Sequence, residues 1–252
     1  MKAIIFDIYG TLLRQEIGDL EESLSKEQKL LRSFSRLKRK YKLKATSKKL
    51  FNLFVDSIGK VHNLKKSRGI KHPEVKIEKI WGMILRKIGY KFNNKFLFRI
   101  AYDHHELTGR RVLYPDVAST LMKIKQSGIK LGIISNAQFY TEIDMFNLLK
   151  KEIRVKSLYE LFDKQLVFYS YKVGCSKPNI KSFLLLKEKL KKLGIKSSEA
   201  LYIGNDMLKD IKTAKKAGFR TCLFVNVETK YKGVKLRPDC RIRDIKSILR
   251  II

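Results

Sequence analysis

Asp7 stands directly after the short apolar run 3–6 and just ahead of Gly10-Thr11. Ser135-Asn136 follows the run 131–134, Lys177 lies beside Pro178 in the loop after 166–169, and Asp206 comes shortly after 201–203. A carboxylate, a hydroxyl, an ammonium and a second acid, once brought together, suit nucleophilic attack on an anionic group. Asp7 supplies the nucleophile, and Ser135 with Lys177 holds the charge that moves. Asp206 and Asp210 are one helical turn apart, so a helix starting at Asp206 puts both on the face shared with Asp7. With no arginine close by, these carboxylates repel one another unless a hard cation such as Mg²⁺ lies between them.

The residues meet only if the runs preceding them are neighbouring strands. Each run is short, apolar and unbroken, as expected of strands buried on both faces of a parallel sheet, and a fifth run spans 221–225. Helical patterns lie between them over 116–126, 179–193 and 206–217, with Gly128, Gly194 and Gly218 at their ends. Strands alternating with helices predict an α/β fold, a Rossmann-like parallel sheet core built from residues 1–16 and 111–252. Ligands bind such sheets beyond the carboxyl ends of the strands, where the polar residues fall.

Residues 17–110 break the pattern. Leu30, Phe34, Leu37 and Tyr41 step at helical spacing, as do Leu50, Phe54, Ile58 and Val61. Pro73 marks a helix start ahead of Val75, Ile77, Ile80, Trp81, Ile84 and Ile88, and Phe96, Leu97, Ile100 and Ala101 form a fourth stripe. Four amphipathic helices exceed one crossover and predict an inserted helical bundle with its own core.

The chain has 252 residues, of which 44% are hydrophobic, which excludes intrinsic disorder. Lys and Arg number 56 against 24 acids, for a net charge of +32 that favours anionic partners. Over residues 26–49 there are eleven basic residues and one acid, Glu27. That stretch reads as the solvated face of a bundle helix that draws in anionic substrates, and the less favoured alternative is binding along nucleic acid or a membrane surface. Cys175, Cys222 and Cys240 show no metal-ligand spacing and read as free thiols of a cytoplasmic protein. No run is long and apolar enough to predict a membrane span. His62, His72, His104 and His105 all fall in the insert and read as surface polar residues, and Gln138, Phe139 and Tyr140 are candidates for the edge of the cleft.

The motifs together resemble the haloacid dehalogenase superfamily of hydrolases. Phe6-Asp7-Ile8-Tyr9-Gly10-Thr11-Leu12 is similar to its first motif, and Leu131-Gly132-Ile133-Ile134-Ser135-Asn136 to its second. Gly174-Cys175-Ser176-Lys177-Pro178 is similar to the third, and Tyr202-Ile203-Gly204-Asn205-Asp206 through Asp210 to the fourth. The helical insert falls where that superfamily carries a C1-type cap domain. The resemblance implies a Mg²⁺-dependent phosphohydrolase acting on a small phosphorylated metabolite through an aspartyl-phosphate on Asp7. It implies metal binding by Asp7, the Tyr9 backbone carbonyl, Asp206 and Asp210, and phosphate binding by Ser135, Asn136, Lys177 and Thr11. Tyr9 departs from the phosphatase pattern, which has a second aspartate there as general acid–base. Asp-x-Tyr-Gly-Thr is the first-motif form of the 2-haloacid dehalogenases, so that chemistry stands as the alternative, with a catalytically weak nucleic-acid-binding protein behind it. Tyr9 is then the candidate substitute for the missing acid, though a phenol of ordinary pKa near 10 is a poor base at neutral pH. Retention of Asp206 favours the metal-dependent reading.

Overall fold

A computed structural model describes residues 1–16, 25–231, 233 and 235–252. The chain divides into two compact units, Met1–Gln15 with Arg111–Ile252, and Glu16–Arg110. The expected division at residue 17 lies outside the described residues.

From the N-terminus, β1 (Ala3–Phe6) leads to β2 (Leu13–Glu16), and the second unit then holds α1 (Lys26–Tyr41), α2 (Ser47–Ser67), α3 (Ile77–Lys87) and α4 (Asn94–Glu106). The chain returns through β3 (Arg110–Leu113), which pairs with β2 in a two-stranded sheet. Alternation follows: α5 (Val117–Gln126), β4 (Lys130–Ser135), α6 (Tyr140–Glu152), β5 (Phe162–Tyr169), α7 (Ser170–Val173) and α8 (Lys181–Lys192). Then come β6 (Ala200–Gly204), α9 (Thr213–Lys216), β7 (Arg220–Phe224) and β8 (Cys240–Ile242). The main sheet is parallel throughout, in the order β5-β4-β1-β6-β7-β8.

Both faces of this sheet are covered, which is why its strands read as unbroken apolar runs. Ile4 and Phe6 share one face with Leu131, Ile133, Leu201 and Ile203 beneath Leu121, Ile124, Met145 and Leu149 of α5 and α6. Ala3 and Ile5 share the other with Ile134 and Tyr202 beneath Phe183, Leu186 and Leu190 of α8. Register sets Phe6 opposite both Ile133 and Ile203, so the residues after them emerge at the same edge. From β1 the strand order runs one way to β4 and β5 and the other way to β6, β7 and β8, placing the topological switch at β1.

Three local expectations change. Instead of one helix over 206–217, a wide π-type turn (Met207–Lys212) precedes α9. Asp206 Oδ1 accepts from the Leu208 and Lys209 N–H groups, and the Thr213 hydroxyl donates to the Leu208 carbonyl five residues back at 3.0 Å. Helix α3 begins at Ile77 rather than Pro73, because Glu74 Oε1 takes the Val75 N–H at 2.9 Å and holds that segment outside the helix. Helix α6 follows the expected alternation without a predicted span of its own, and strands β2, β3 and β8 have no predicted counterpart.

In the helical unit successive helices pack together and α4 returns to α1. Ser25 and Gln28 cap α1 reciprocally, each side chain accepting the other's N–H. Phe34 and Leu37 of this basic helix are fully buried, while Arg32, Arg36, Arg39 and Lys40 are exposed. The apolar stripe is thus taken up by the unit's own core. Phe34 lies 5.5 Å from Phe54, 6.0 Å from Trp81 and 4.4 Å from His104, ring centre to ring centre.

His104 and His105, expected at the surface, are buried on α4, where Leu97, Ile100 and Ala101 mark the inward face. Burial, with His105 adding to it, pushes the His104 imidazole down to about 3, and its Nε2 is bonded to Ser33 Oγ at 3.0 Å. A base depressed in the folded state is fully stabilising above its unfolded pKa of about 6.5, and that contribution is lost as pH falls toward the folded value. Trp81, the single tryptophan, lies 5.2 Å from His104, so its fluorescence reports this unit. The urea midpoint read by Trp81 should fall between pH 7.5 and pH 5, and His104→Phe should flatten most of that decline.

Candidate active site

Beyond the carboxyl ends of β1, β4 and β6 lies a cavity of about 170 Å³. Asp7, Tyr9, Ser135, Asn136, Lys177, Asn205, Asp206 and Asp210 line it, together with Lys209 and Lys230. Asp7 is held at the end of β1 by its N–H, which donates to the Ile203 carbonyl at 2.8 Å. The chain then turns through Gly10, whose φ is +77° and where a Cβ would fall 2.2 Å from Asn205 Nδ2. Only glycine fits both the backbone angle and the close approach. The Gly10 carbonyl accepts from Asn226 Nδ2 at 2.8 Å, which ties this turn to the loop after β7.

Lys177 sits at the centre. Its ammonium is buried, 2.9 Å from Asp7 Oδ1 and 2.6 Å from Asp210 Oδ1. It also reaches the Tyr202 hydroxyl at 2.9 Å and the Ile134 carbonyl at 3.2 Å. Burial works against the charge, but the Asp210 and Asp7 carboxylates outweigh it and raise the Lys177 pKa above its usual value. Burial also pushes the Asp210 carboxyl up to about 6, against the pull of Lys177, with Asp7 adding to the rise. Asp210 Oδ2 accepts the Asp206 N–H at 2.9 Å, so both of its oxygens are committed within the protein. Gly204 makes room for it, since a Cβ there would lie 2.4 Å from Asp210 Cγ.

Two buried polar atoms in the same wall have no partner among the described residues, Asp206 Oδ2 and Ser135 Oγ. Asp206 Oδ1 is occupied by the turn it caps, leaving Oδ2 as an unmatched acceptor. An unpaired carboxylate oxygen in a buried wall that also contains Asp7 fits a hard cation with oxygen ligands. The unmatched Ser135 hydroxyl fits a donor awaiting an anionic oxygen.

The family model of haloacid dehalogenase-like hydrolases matches residues 1–218. The chain belongs to this family. A glyceraldehyde 3-phosphate phosphatase of Methanopyrus kandleri is 30% identical over 183 residues, covering 72% of this chain and 70% of that protein. Its counterpart in Methanocaldococcus jannaschii is 31% identical over 141 residues, 55% of this chain and 56% of that one. Among solved structures, a phosphatase of Thermococcus onnurineus superposes with a TM-score of 0.57 at 21% identity, covering 100% of this chain and 97% of that one. A 2-haloacid dehalogenase of Pseudomonas syringae pv. Tomato gives 0.61 at 20% identity, with the same coverage. The fold is therefore common to both chemistries, and the side chains must separate them.

Most of the residues expected to act in this hydrolase reach the cavity, but not all in the expected attitude. Thr11, expected at the phosphate, is completely buried in the turn after Gly10 and is not among the residues lining the cavity. Asn136 directs its side chain at the backbone of Lys177, accepting the N–H at 2.7 Å and donating to the carbonyl at 3.1 Å, so it fixes the lysine. Asp210, expected as a metal ligand, has its oxygens turned to Lys177, Tyr202 and Asp206. The Tyr9 hydroxyl meets Thr141 Oγ1 at 2.9 Å, and burial pushes its pKa up to about 12, further from any role as a base. Tyr202, Lys209 and Lys230 had no assigned part. The tyrosine reads as core within an apolar run, and the lysines are lost among 56 basic residues.

Removing Asp210 takes away one of the two carboxylates that neutralise the buried Lys177 ammonium, leaving Asp7 alone to do so. Asp210→Asn should therefore lower unfolding free energy by on the order of 3 kcal/mol, measured by urea denaturation. Gly204→Ala acts on the same point and should destabilise in the same direction.

Proposed function

We propose that this hydrolase is a Mg²⁺-dependent phosphatase of small phosphorylated metabolites, with Asp7 as nucleophile. The observation that carries the reading is the unpaired, buried Oδ2 of Asp206 in the cavity wall that also holds Asp7. A dehalogenase displacing halide from carbon has no use for that acceptor. Asp7, the Tyr9 carbonyl and Asp206 would hold Mg²⁺, which would neutralise charge on the phosphoryl group. Asp210 acts from behind, positioning Lys177 and the Asp206 backbone.

In the first step an Asp7 carboxylate oxygen attacks phosphorus, the bond from phosphorus to the leaving oxygen breaks, and that oxygen departs with the electron pair. In the second, water attacks the phosphorus of the acyl phosphate, and the bond from phosphorus to the Asp7 oxygen breaks and restores the carboxylate. The water's protons stay on the inorganic phosphate or pass to solvent, which also protonates the departed oxygen. Lys177 orients the carboxylate through its 2.9 Å contact, and Ser135 donates to a phosphoryl oxygen. This is mainly positioning and charge neutralisation, the basis of phosphoryl transfer. The names of the relatives support a triose phosphate as the first metabolite to test.

Tyr9 sets the limits of the chemistry. With its hydroxyl held near 12, it neither protonates the leaving group efficiently nor activates water at neutral pH. Release of p-nitrophenol from its phosphate should require Mg²⁺, stop with EDTA and be abolished by Asp7→Asn. Turnover of 2-chloropropionate by a protein inactive on aryl phosphate would instead support the dehalogenase. Aryl and acyl phosphates should exceed alkyl phosphates in kcat/KM by roughly 10²-fold or more, the usual worth of a general acid–base. Tyr9→Asp should narrow that gap, with glyceraldehyde 3-phosphate as the alkyl substrate.

A further inference from the structure

Three acids line the cavity, Asp7, Asp206 and Asp210, and the charge of Lys177 is already shared between Asp7 and Asp210 at 2.9 and 2.6 Å. Counted with Lys177 alone, the lining carries a net charge of −2, from three acids less one ammonium. A divalent cation brings that only to zero. A phosphate monoester arriving as a dianion would find no surplus positive charge. Two further lysines line the same cavity, Lys209 and Lys230, and neither has an ion-pair partner among the described residues.

Their backbones are held, although both side chains reach solvent. Lys209 sits in the turn capped by Asp206, its N–H donating to Asp206 Oδ1 at 2.9 Å. The Lys230 N–H donates to the Asn205 carbonyl at 3.0 Å and its carbonyl accepts the Met207 N–H at 2.8 Å, clipping it alongside the segment that carries Asp206. The loop before it is closed by the Thr229 N–H on the Asn226 carbonyl, and Asn226 in turn bonds the Gly10 carbonyl. Both backbones are therefore pinned to the segment that carries Asp206, and both side chains line the cavity.

Resting on the phosphatase reading, we propose that Lys209 and Lys230 supply the positive charge that captures the substrate's phosphoryl dianion. Lys177 organises the nucleophile, and these two lysines add charge to the phosphoryl contact made by Ser135. They set the substrate class as phosphate monoesters in their doubly charged form, because two unpaired cations match two negative charges. They act on substrate approach and retention, and the chemical step remains with Asp7.

The test is steady-state hydrolysis of p-nitrophenyl phosphate with Mg²⁺ by wild type, Lys209→Gln, Lys230→Gln and the double variant. Lys187→Gln on α8, an exposed lysine away from the cavity wall, serves as control for generic charge loss. Each cavity substitution should raise KM and the inhibition constant of inorganic phosphate together, by about tenfold, with kcat changed little. The double variant should lose most of the salt dependence of kcat/KM, which screening of exposed charges gives the wild type. Unchanged KM and phosphate inhibition, a loss confined to kcat, or an equal effect from Lys187→Gln would each overturn the assignment while leaving the phosphatase intact. Wild type that neither hydrolyses aryl phosphate nor binds inorganic phosphate would overturn the underlying reading instead.

Discussion

An ammonium sealed inside a protein is stable only if carboxylates surround it, and Lys177 has two, Asp7 and Asp210. Much of the site follows from satisfying that one charge. Tyr202, on the sheet face beneath α8, turns its hydroxyl to Lys177, Asp210 and the Ile134 carbonyl. Asn136 clamps the lysine's backbone from both sides, and Gly204 leaves space for Asp210. The result is an Asp7 carboxylate with one oxygen fixed by Lys177, and as the proposed nucleophile it would need little reorganisation when a substrate binds.

The sheet makes this geometry available. With β1 between β4 and β6, three strand ends deliver Asp7, Ser135 and Asp206 to one edge, and the loop after β5 brings Lys177 across to them. The acids divide by attitude. Asp210 is turned inward and neutralised by Lys177, Asp7 is shared between lysine and cavity, and Asp206 retains an unmatched oxygen. Three carboxylates of one residue type thereby sit in three different environments, separated by their partners.

The sequence reveals the residues at strand ends because parallel strands, buried on both faces, leave apolar runs with a polar residue just beyond. Asp7, Ser135 and Asp206 are legible for that reason. Contacts between side chains are not. Asp210 at four residues from Asp206 reads as a second ligand, but the wide turn after Asp206 and the pull of Lys177 direct it elsewhere. Tyr202 is hidden because its neighbours are apolar, and Lys209 and Lys230 are distinguished only by where Asn205 and Asp206 pin their backbones. In the helical unit the apolar stripes gave the helices, while the burial of His104 and His105 depended on which turn of α4 faces inward. The three-residue β8, alternating Cys-Arg-Ile, is too short to show a period.

In the proposed mechanism Asp7 carries the phosphoryl group during turnover. Acid-quenching the enzyme during hydrolysis of an aryl phosphate in Mg²⁺, then mapping peptides by mass spectrometry, tests it directly. A phosphoryl group should appear on Asp7 in the wild type and none in Asp7→Asn. Steady hydrolysis with Asp7 unmodified at every quench time, and persisting in Asp7→Asn, would contradict it.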